Sequence, residues 1–211
     1  MKIIQEKINL ILLVFVLVVL MFSTGFSQHG RHFSALTYSV SIPTGDTKDF
    51  VDAVSWRGLG FDYRYAAKNN VTVGFFAGWN LLYQETTEVT QLETDPPGAF
   101  YGTQKKLINS FPIMVNVHYY LGKRKSIRPY VGLSAGGFIM MQYYETGTFL
   151  FENNEWQWGM APEIGVTIPV DREWGIIVNG KYNYAFTGED VFGNNTNNAY
   201  WGINIGVVWQ Q

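Results

Sequence analysis

"AYWGINIGVVWQQ", residues 199–211, decides how the rest of the chain is read. From Trp201 to Trp209 the large apolar side chains fall on every second residue (Trp201, Ile203, Ile205, Val207, Trp209), with Gly202, Asn204, Gly206 and Val208 between them. A two-residue period belongs to a β-strand, whose successive side chains point to opposite faces. One face is therefore bulky and apolar, and the other is small or polar. A soluble sandwich buries the apolar face against a second sheet, whereas a membrane barrel turns it outward to lipid.

The same alternation recurs from residue 34 onward between turn-rich segments. It predicts eight strands, over residues 34–43, 55–66, 70–83, 106–121, 127–143, 156–169, 175–187 and 199–209. Each is near or above the ~9–11 residues that a tilted transmembrane strand needs. No stretch carries a 3.6-residue period, so the expected class is all-β. The links alternate in length. Those after the first, third, fifth and seventh strands are long ("GDTKDFVDAVS", "QETTEVTQLETDPPGAFYGTQ", "YETGTFLFENNE", "TGEDVFGNNTNN"), and the others are short ("AKNN", "GKRKS", "DREWG"). An up-and-down meander places all the long links at one end, the asymmetry of outer-membrane barrels.

Parity supplies an independent test. The residues sharing the face of Ile203 and Ile205 include Leu59, Phe61, Val73, Phe75, Ile113, Val115, Val117, Val131, Leu133, Met160, Ile164 and Val178, and none is charged. A Lys or Arg at mid-membrane on that face would cost roughly 2–4 kcal/mol. Four charges within the strands, Asp62, Arg64, Glu163 and Lys181, have the opposite parity. So do Asn80, Ser110, Asn116, His118, Ser134, Gln142, Gln157, Thr167, Asn179, Asn183 and Asn204. A polar interior inside an apolar exterior inverts the soluble pattern and predicts an eight-stranded antiparallel up-and-down transmembrane β-barrel. A lipocalin-like soluble binder, also eight-stranded, would need the reverse parity. Arg57, with lipid-face parity, lies near a strand end, where its charge can reach headgroups.

Composition agrees. Charged residues make up 15% of the 211-residue chain and aromatics 17%. Soluble proteins average roughly 25% charged, so much of this surface is expected to face something other than water. A net charge of -2 gives no basic footprint for nucleic acid. The absence of cysteine excludes disulfides, thiolate metal sites, Cys nucleophiles and a lipidated Cys. The apolar run "NLILLVFVLVVLMF" follows Lys2 and Lys7, is too short to span a bilayer, and leads to small residues before Gln28. It reads as a secretory signal peptide over 1–27, leaving a barrel domain over 28–211.

"SVSIPTGDTKDFV", "SWRGLGFDYRY", "NNVTVGFFAGWNLLY", "RPYVGLSAGGF" and "WQWGMAPEIGVTIPV" resemble the small outer-membrane β-barrel, or porin-family, proteins of Bacteroidetes-type bacteria, relatives in architecture of the OmpA and OmpW barrels. The resemblance implies an outer-membrane location with long loops extracellular and termini periplasmic, and contact with outer-membrane lipid and lipopolysaccharide. It also implies a last strand read by the barrel-assembly machinery, although here Gln210 and Gln211 follow the aromatic Trp209. It carries no catalytic signature and no appended wall-binding domain. The chain is expected to be a monomer.

The candidate site is the lumen. Asp62, Arg64, His118, Glu163 and Lys181 form either a charged gate or a self-satisfied structural network, because eight strands enclose just enough space for side chains. Trp56, Phe76, Tyr120, Tyr130 and Phe138 are expected to help fill it, while inward glycines such as Gly58, Gly60, Gly132 and Gly165 leave room for a narrow water path. Tyr83, Trp156, Trp158, Trp201 and Trp209 are candidates for interfacial girdles. No cofactor, metal site or enzymatic activity is expected. Ser110 and His118 lie roughly 26 Å apart along one strand, too far for a nucleophile–base pair. His29 and His32 are read as part of a mobile mature N-terminus, and "PTGDTKDF" as a strand-to-loop transition rather than a phosphate loop.

Overall fold

The computed structural model describes residues 32–92, 98–122, 126–147 and 149–210. The expected leader, His29 and Gln211 lie outside the described residues. Eight antiparallel strands form a closed barrel in sequence order: β1 (His32–Thr44), β2 (Gly58–Ala66), β3 (Val71–Leu92), β4 (Gly98–Tyr120), β5 (Arg128–Thr146), β6 (Phe149–Pro169), β7 (Trp174–Glu189) and β8 (Asn195–Gln210). The C-terminal stretch is the closing strand. It pairs with β1 from Phe33↔Gln210 to Thr44↔Ala199, so Gln210 belongs to the ladder. Closure matters physically, because an unpaired backbone edge cannot be left in lipid.

The two faces follow parity. Val115 is 69% exposed and Ile164 65%, whereas Asp62, Arg64, Asn116, His118, Glu163, Lys181 and the other inward polar residues are all buried. This is the reverse of a lipocalin-like binder. Phe61 is an exception on the outer face, buried beside the Phe75 ring at 5.9 Å.

Three features differ from the expected layout. First, β3 to β6 are 22, 23, 19 and 21 residues long, so they run well past a bilayer span, and much of the two central "loops" is strand. Thr and Val favour extended backbone with or without lipid around them, so a polar stretch such as "ETTEVT" still continues the β3–β4 ladder. Glu85 lies opposite Lys105, and Lys105 Nζ is 3.9 Å from Glu145. Second, the first long link contains a short helix, α1 (Asp46–Phe50), entered through Gly45 at φ 55°. Third, Trp56 lies before β2 and is 67% exposed, so it does not fill the lumen. His32 is the first residue of β1, and its Nδ1 is 2.6 Å from the Tyr63 hydroxyl.

Candidate functional site

The lumen has three levels, set by strand register. On the side of the termini, Phe33, Ala35, Ala66, Tyr120, Tyr130, Ile177 and Val208 form one buried cluster. On the side of the long hairpins a larger apolar cluster contains Val51, Phe76, Leu82, Ile108, Met114, Phe138, Met140 and Tyr200. The five charged or ionisable residues singled out in the sequence meet near the boundary between the two.

Glu163 is the hub. Its carboxylate lies 2.9 Å from Arg64 Nη2 and 3.0 Å from Lys181 Nζ, and accepts the Tyr130 hydroxyl at 2.6 Å. His118 Nε2 is 3.5 Å away. Arg64 Nη2 also meets Asp62 at 2.6 Å, and its Nη1 donates to Tyr120 at 2.8 Å. Asn116 donates to Asp62 at 3.0 Å. Lys181 Nζ sits 3.4 Å from the Phe76 ring centroid, a desolvated cation–π contact. Two carboxylates face a guanidinium and an ammonium, and such pairing is how buried charge becomes tolerable. The cluster spans β2, β4, β6 and β7 and so ties opposite walls together.

Register explains the assembly. Lys181 pairs with Glu163, Glu163 with Gly132, and Gly132 with His118. Gly132 carries no side chain, so the imidazole lies across β5 toward Glu163, and a Cβ there would come within 2.2 Å of His118 Cδ2. Gly165 similarly gives its space to Tyr130 and Asn179, Gly60 to Phe76, and Gly58 to Asn80. At these four positions the space that the missing side chain leaves is taken by neighbouring side chains.

Asp62, His118 and Glu163 hold donor atoms within 4.8 Å of one another. Arg64 and Lys181 already engage both carboxylates, so ion pairing accounts for the cluster without a metal. Ser110 bonds the Tyr200 hydroxyl at 3.0 Å and takes no part in the His118 level.

The plug on the hairpin side was not legible in the sequence. After α1 the chain turns into the barrel mouth, and Val51 reaches 0% exposure among Leu82, Ile108 and Met140. The link is stitched to the wall. Ala199 N donates to Thr47 Oγ1 at 2.7 Å, Asn197 N to Asp46 at 2.9 Å and Asp52 N to Gln84 at 2.7 Å, while Ser41 and Ser55 exchange backbone bonds at 2.8 Å. The available signal was "FVDAV", apolar but for Asp52, inside a segment read as a long link between strands.

Above the plug lies a chamber of about 460 Å³, bounded by α1, β4, β5 and the β7–β8 link. In that link burial raises the Asp190 carboxyl, but hydrogen bonds from Asn194, Phe192 and Gly193 outweigh it and hold the group below the usual carboxylate range.

Of the aromatic candidates, Trp156, Trp158, Trp201 and Trp209 are 42–65% exposed on the outer wall. Trp209 pairs with Trp174, and Trp201 packs on Tyr182 at 4.9 Å. Tyr83 is half-buried, donates to Glu85, and lies 5.9 Å from Arg57, which is exposed at the strand margin as its parity required.

A closed antiparallel barrel, apolar outside and polar within, is an outer-membrane β-barrel. The model of the OmpW family matches residues 33–198, and the chain belongs to the OmpW family. The Neisserial surface protein A structure aligns with a TM-score of 0.54 at 10% identity, over 85% of this chain and 97% of that one. Ail of Yersinia pestis aligns at 0.48 and 11% identity (86% and 99%), and E. coli outer membrane protein W at 0.46 and 18% identity (88% and 100%). No curated protein matches significantly.

Proposed function

We propose that this is a non-enzymatic, monomeric outer-membrane barrel with a structural role, closed along its axis, rather than an open pore. The Glu163 network carries this reading, because it joins Asp62, Arg64, His118 and Lys181 across the lumen, with Tyr120 and Tyr130 beneath and the Val51 plug above. In this reading a leader over 1–27 directs export, the long hairpins and chamber face the exterior, and the termini face the periplasm. Trp156, Trp158 and Trp201 mark one interface and Trp209 the other. Eight residue steps separate Trp201 from Trp209, about 26 Å along the strand, which a tilt of about 35–45° turns into roughly 20 Å along the barrel axis, placing the two rings just inside the edges of the ~25 Å apolar band. Lipid and lipopolysaccharide are the surrounding partners, β8 is the strand offered to the assembly machinery, and a Bacteroidetes-type source follows from the strand-and-turn motifs alone.

Liposome swelling tests the structural role against solute transport. Proteoliposomes in an iso-osmotic small sugar or amino acid are expected to swell no faster than protein-free ones. Swelling that slows with solute size would replace the structural role with small-solute diffusion. A second reading, binding at the cell surface, is favoured by the exposed Phe149, Leu150 and Phe151 at the β5–β6 tip. Replacing residues 84–104 with a short linker tests the neighbouring hairpin's share in it: cell attachment should fall while heat-modifiable gel migration persists.

A further inference from the structure

We propose that the bare edge of β6 is a docking site for an extended polypeptide segment that alternates basic and apolar residues and adds to the sheet as a further strand. It gives the surface-binding reading a partner class and rests on that reading for its setting, but holds whether or not the barrel conducts.

The edge follows from strand register. β6 pairs with β5 as far as Thr146↔Phe149, but with β7 only between Gly159↔Ala185 and Pro169↔Gly175. Residues 149–158 therefore have a neighbouring strand on one side alone. Val170 N donates to Trp174 O across the β6–β7 turn, and register is constant along both ladders. The two-residue alternation then turns the backbone N–H and C=O of Leu150, Glu152, Asn154, Trp156 and Trp158 toward the bare side. No backbone partner meets them there among the described residues. Side chains hold the end of β7 at a distance: Glu155 accepts from Glu189 N at 2.7 Å, and Asn153 donates to Glu189 O at 2.6 Å. A cleft of about 500 Å³ opens beside the edge, and its lining includes Asn154, Trp156, Thr187 and Gly188.

The sequence leaves this edge unguarded. Natural sheets blunt long edges with Lys, Pro or a bulge. "FLFENNEWQW", residues 149–158, holds no Lys, Arg or Pro, and its Phe149, Leu150 and Phe151 are 42–68% exposed. Such an edge is a template for strand addition. β3, the other margin of the projecting sheet, is partly covered, because Leu81 N donates to Arg57 O and Asp52 N to Gln84.

Charge and polarity select the occupant. Segments 149–158 and 186–198, which flank the cleft, carry Glu152, Glu155, Glu189 and Asp190 and no Lys or Arg. Glu152 is exposed on the outer face and makes no ion pair among the described residues. On the inner face Phe151 packs with Tyr144 and Phe192, each ring at 6.2 Å. An added strand sets alternate side chains beside these two faces, so it fits best with basic residues outward and apolar residues inward.

Fluorescence anisotropy tests this on residues 28–211 in phosphatidylcholine nanodiscs, which expose both ends of the barrel. The probe is dye-labelled acetyl-Lys-Val-Lys-Val-Lys-Val-amide, with the Glu-Val hexamer and a Lys-Val hexamer N-methylated at every residue as controls. The Lys-Val peptide should bind saturably and both controls at least about tenfold more weakly, since one loses the charge match and the other the backbone pairing. Its binding should slow hydrogen exchange at the Glu152 and Asn154 amides and leave that of Asn153, which faces β5, unchanged. Asn154→Pro removes a donor from the bare side without touching the β5 ladder and should weaken binding at least about tenfold. Glu152→Gln should weaken it about two- to fivefold, and it reports even if Asn154→Pro folds poorly. Equal binding of the N-methylated peptide, no binding in the millimolar range, or full affinity in a folded Asn154→Pro would overturn the proposal. So would protection of these amides that grows with protein concentration in the absence of peptide, which would assign the edge to a second copy of the chain. Cell attachment that falls on replacing residues 84–104, with no peptide bound, would overturn this inference alone and leave the surface-binding reading standing.

Discussion

Glu163→Gln removes one charge from the centre of the lumen and leaves two cations facing one anion. Lys181 loses its carboxylate at 3.0 Å and keeps only the Phe76 ring at 3.4 Å, while Arg64 retains Asp62 at 2.6 Å. The amide oxygen can still accept from Tyr130, so the cost falls toward the lower end of the ~3–5 kcal/mol seen when a buried pair is broken by losing one partner. Urea unfolding of the protein in lipid vesicles, followed by tryptophan fluorescence, reads this directly. With a slope of about 1–3 kcal/mol per molar urea, the midpoint should fall by about 1–3 M. Adding Lys181→Met restores the charge balance, so the double variant should be more stable than the sum of the single effects by about 1–3 kcal/mol. A single-variant cost below about 1 kcal/mol, or strict additivity in the cycle, would refute the claim that Glu163 ties the network together.

Three further outcomes follow from other parts of the molecule. Val115→Arg, at the most exposed large apolar residue among the described ones, should cost about 2–4 kcal/mol and reduce the heat-modifiable folded fraction; unchanged folding would contradict the outward parity. Val51→Asp buries a carboxylate in the apolar plug, so hydrogen exchange at the Val51 amide, now bonded to Thr47 O at 2.8 Å, should accelerate while the strand ladders stay protected. Equal protection there would show that the plug is not held by burial. Folding lowers the Asp190 pKa, so its stabilisation of the β7–β8 turn is complete above the unfolded value near 3.9 and fades as pH falls from there through the folded value. Carbon NMR of the Asp190 carboxyl should show a midpoint below that unfolded value; one at or above it would contradict the turn's hydrogen bonding.

Most of the wall was legible because a barrel strand writes its environment at period two. Ile203 and Asn204 are adjacent in sequence and sit on opposite faces, and every inward polar residue named from parity is buried. The convergence of Asp62, Arg64, His118, Glu163 and Lys181 on one face was legible too, but not their distances, which depend on register between strands far apart in the chain. Gly132 shows the limit. It reads as empty space, yet its missing side chain is filled by an imidazole from the neighbouring strand. The plug stayed hidden because Val51 follows charged residues in a segment with no period, and its burial comes from where β1 and β8 deliver it. Trp56 failed for the opposite reason: parity was extended two residues beyond the start of β2, where alternation no longer fixes direction.

Single-channel recording in planar bilayers tests axial closure most directly. A lumen sealed by the Glu163 network and the Val51 plug predicts no stable unitary conductance from the wild-type chain. It further predicts intermittent openings in Glu163→Gln, where Lys181 is released from its carboxylate. Steady ohmic conductance in the wild type, insensitive to Glu163→Gln and Lys181→Met, would contradict closure by this network.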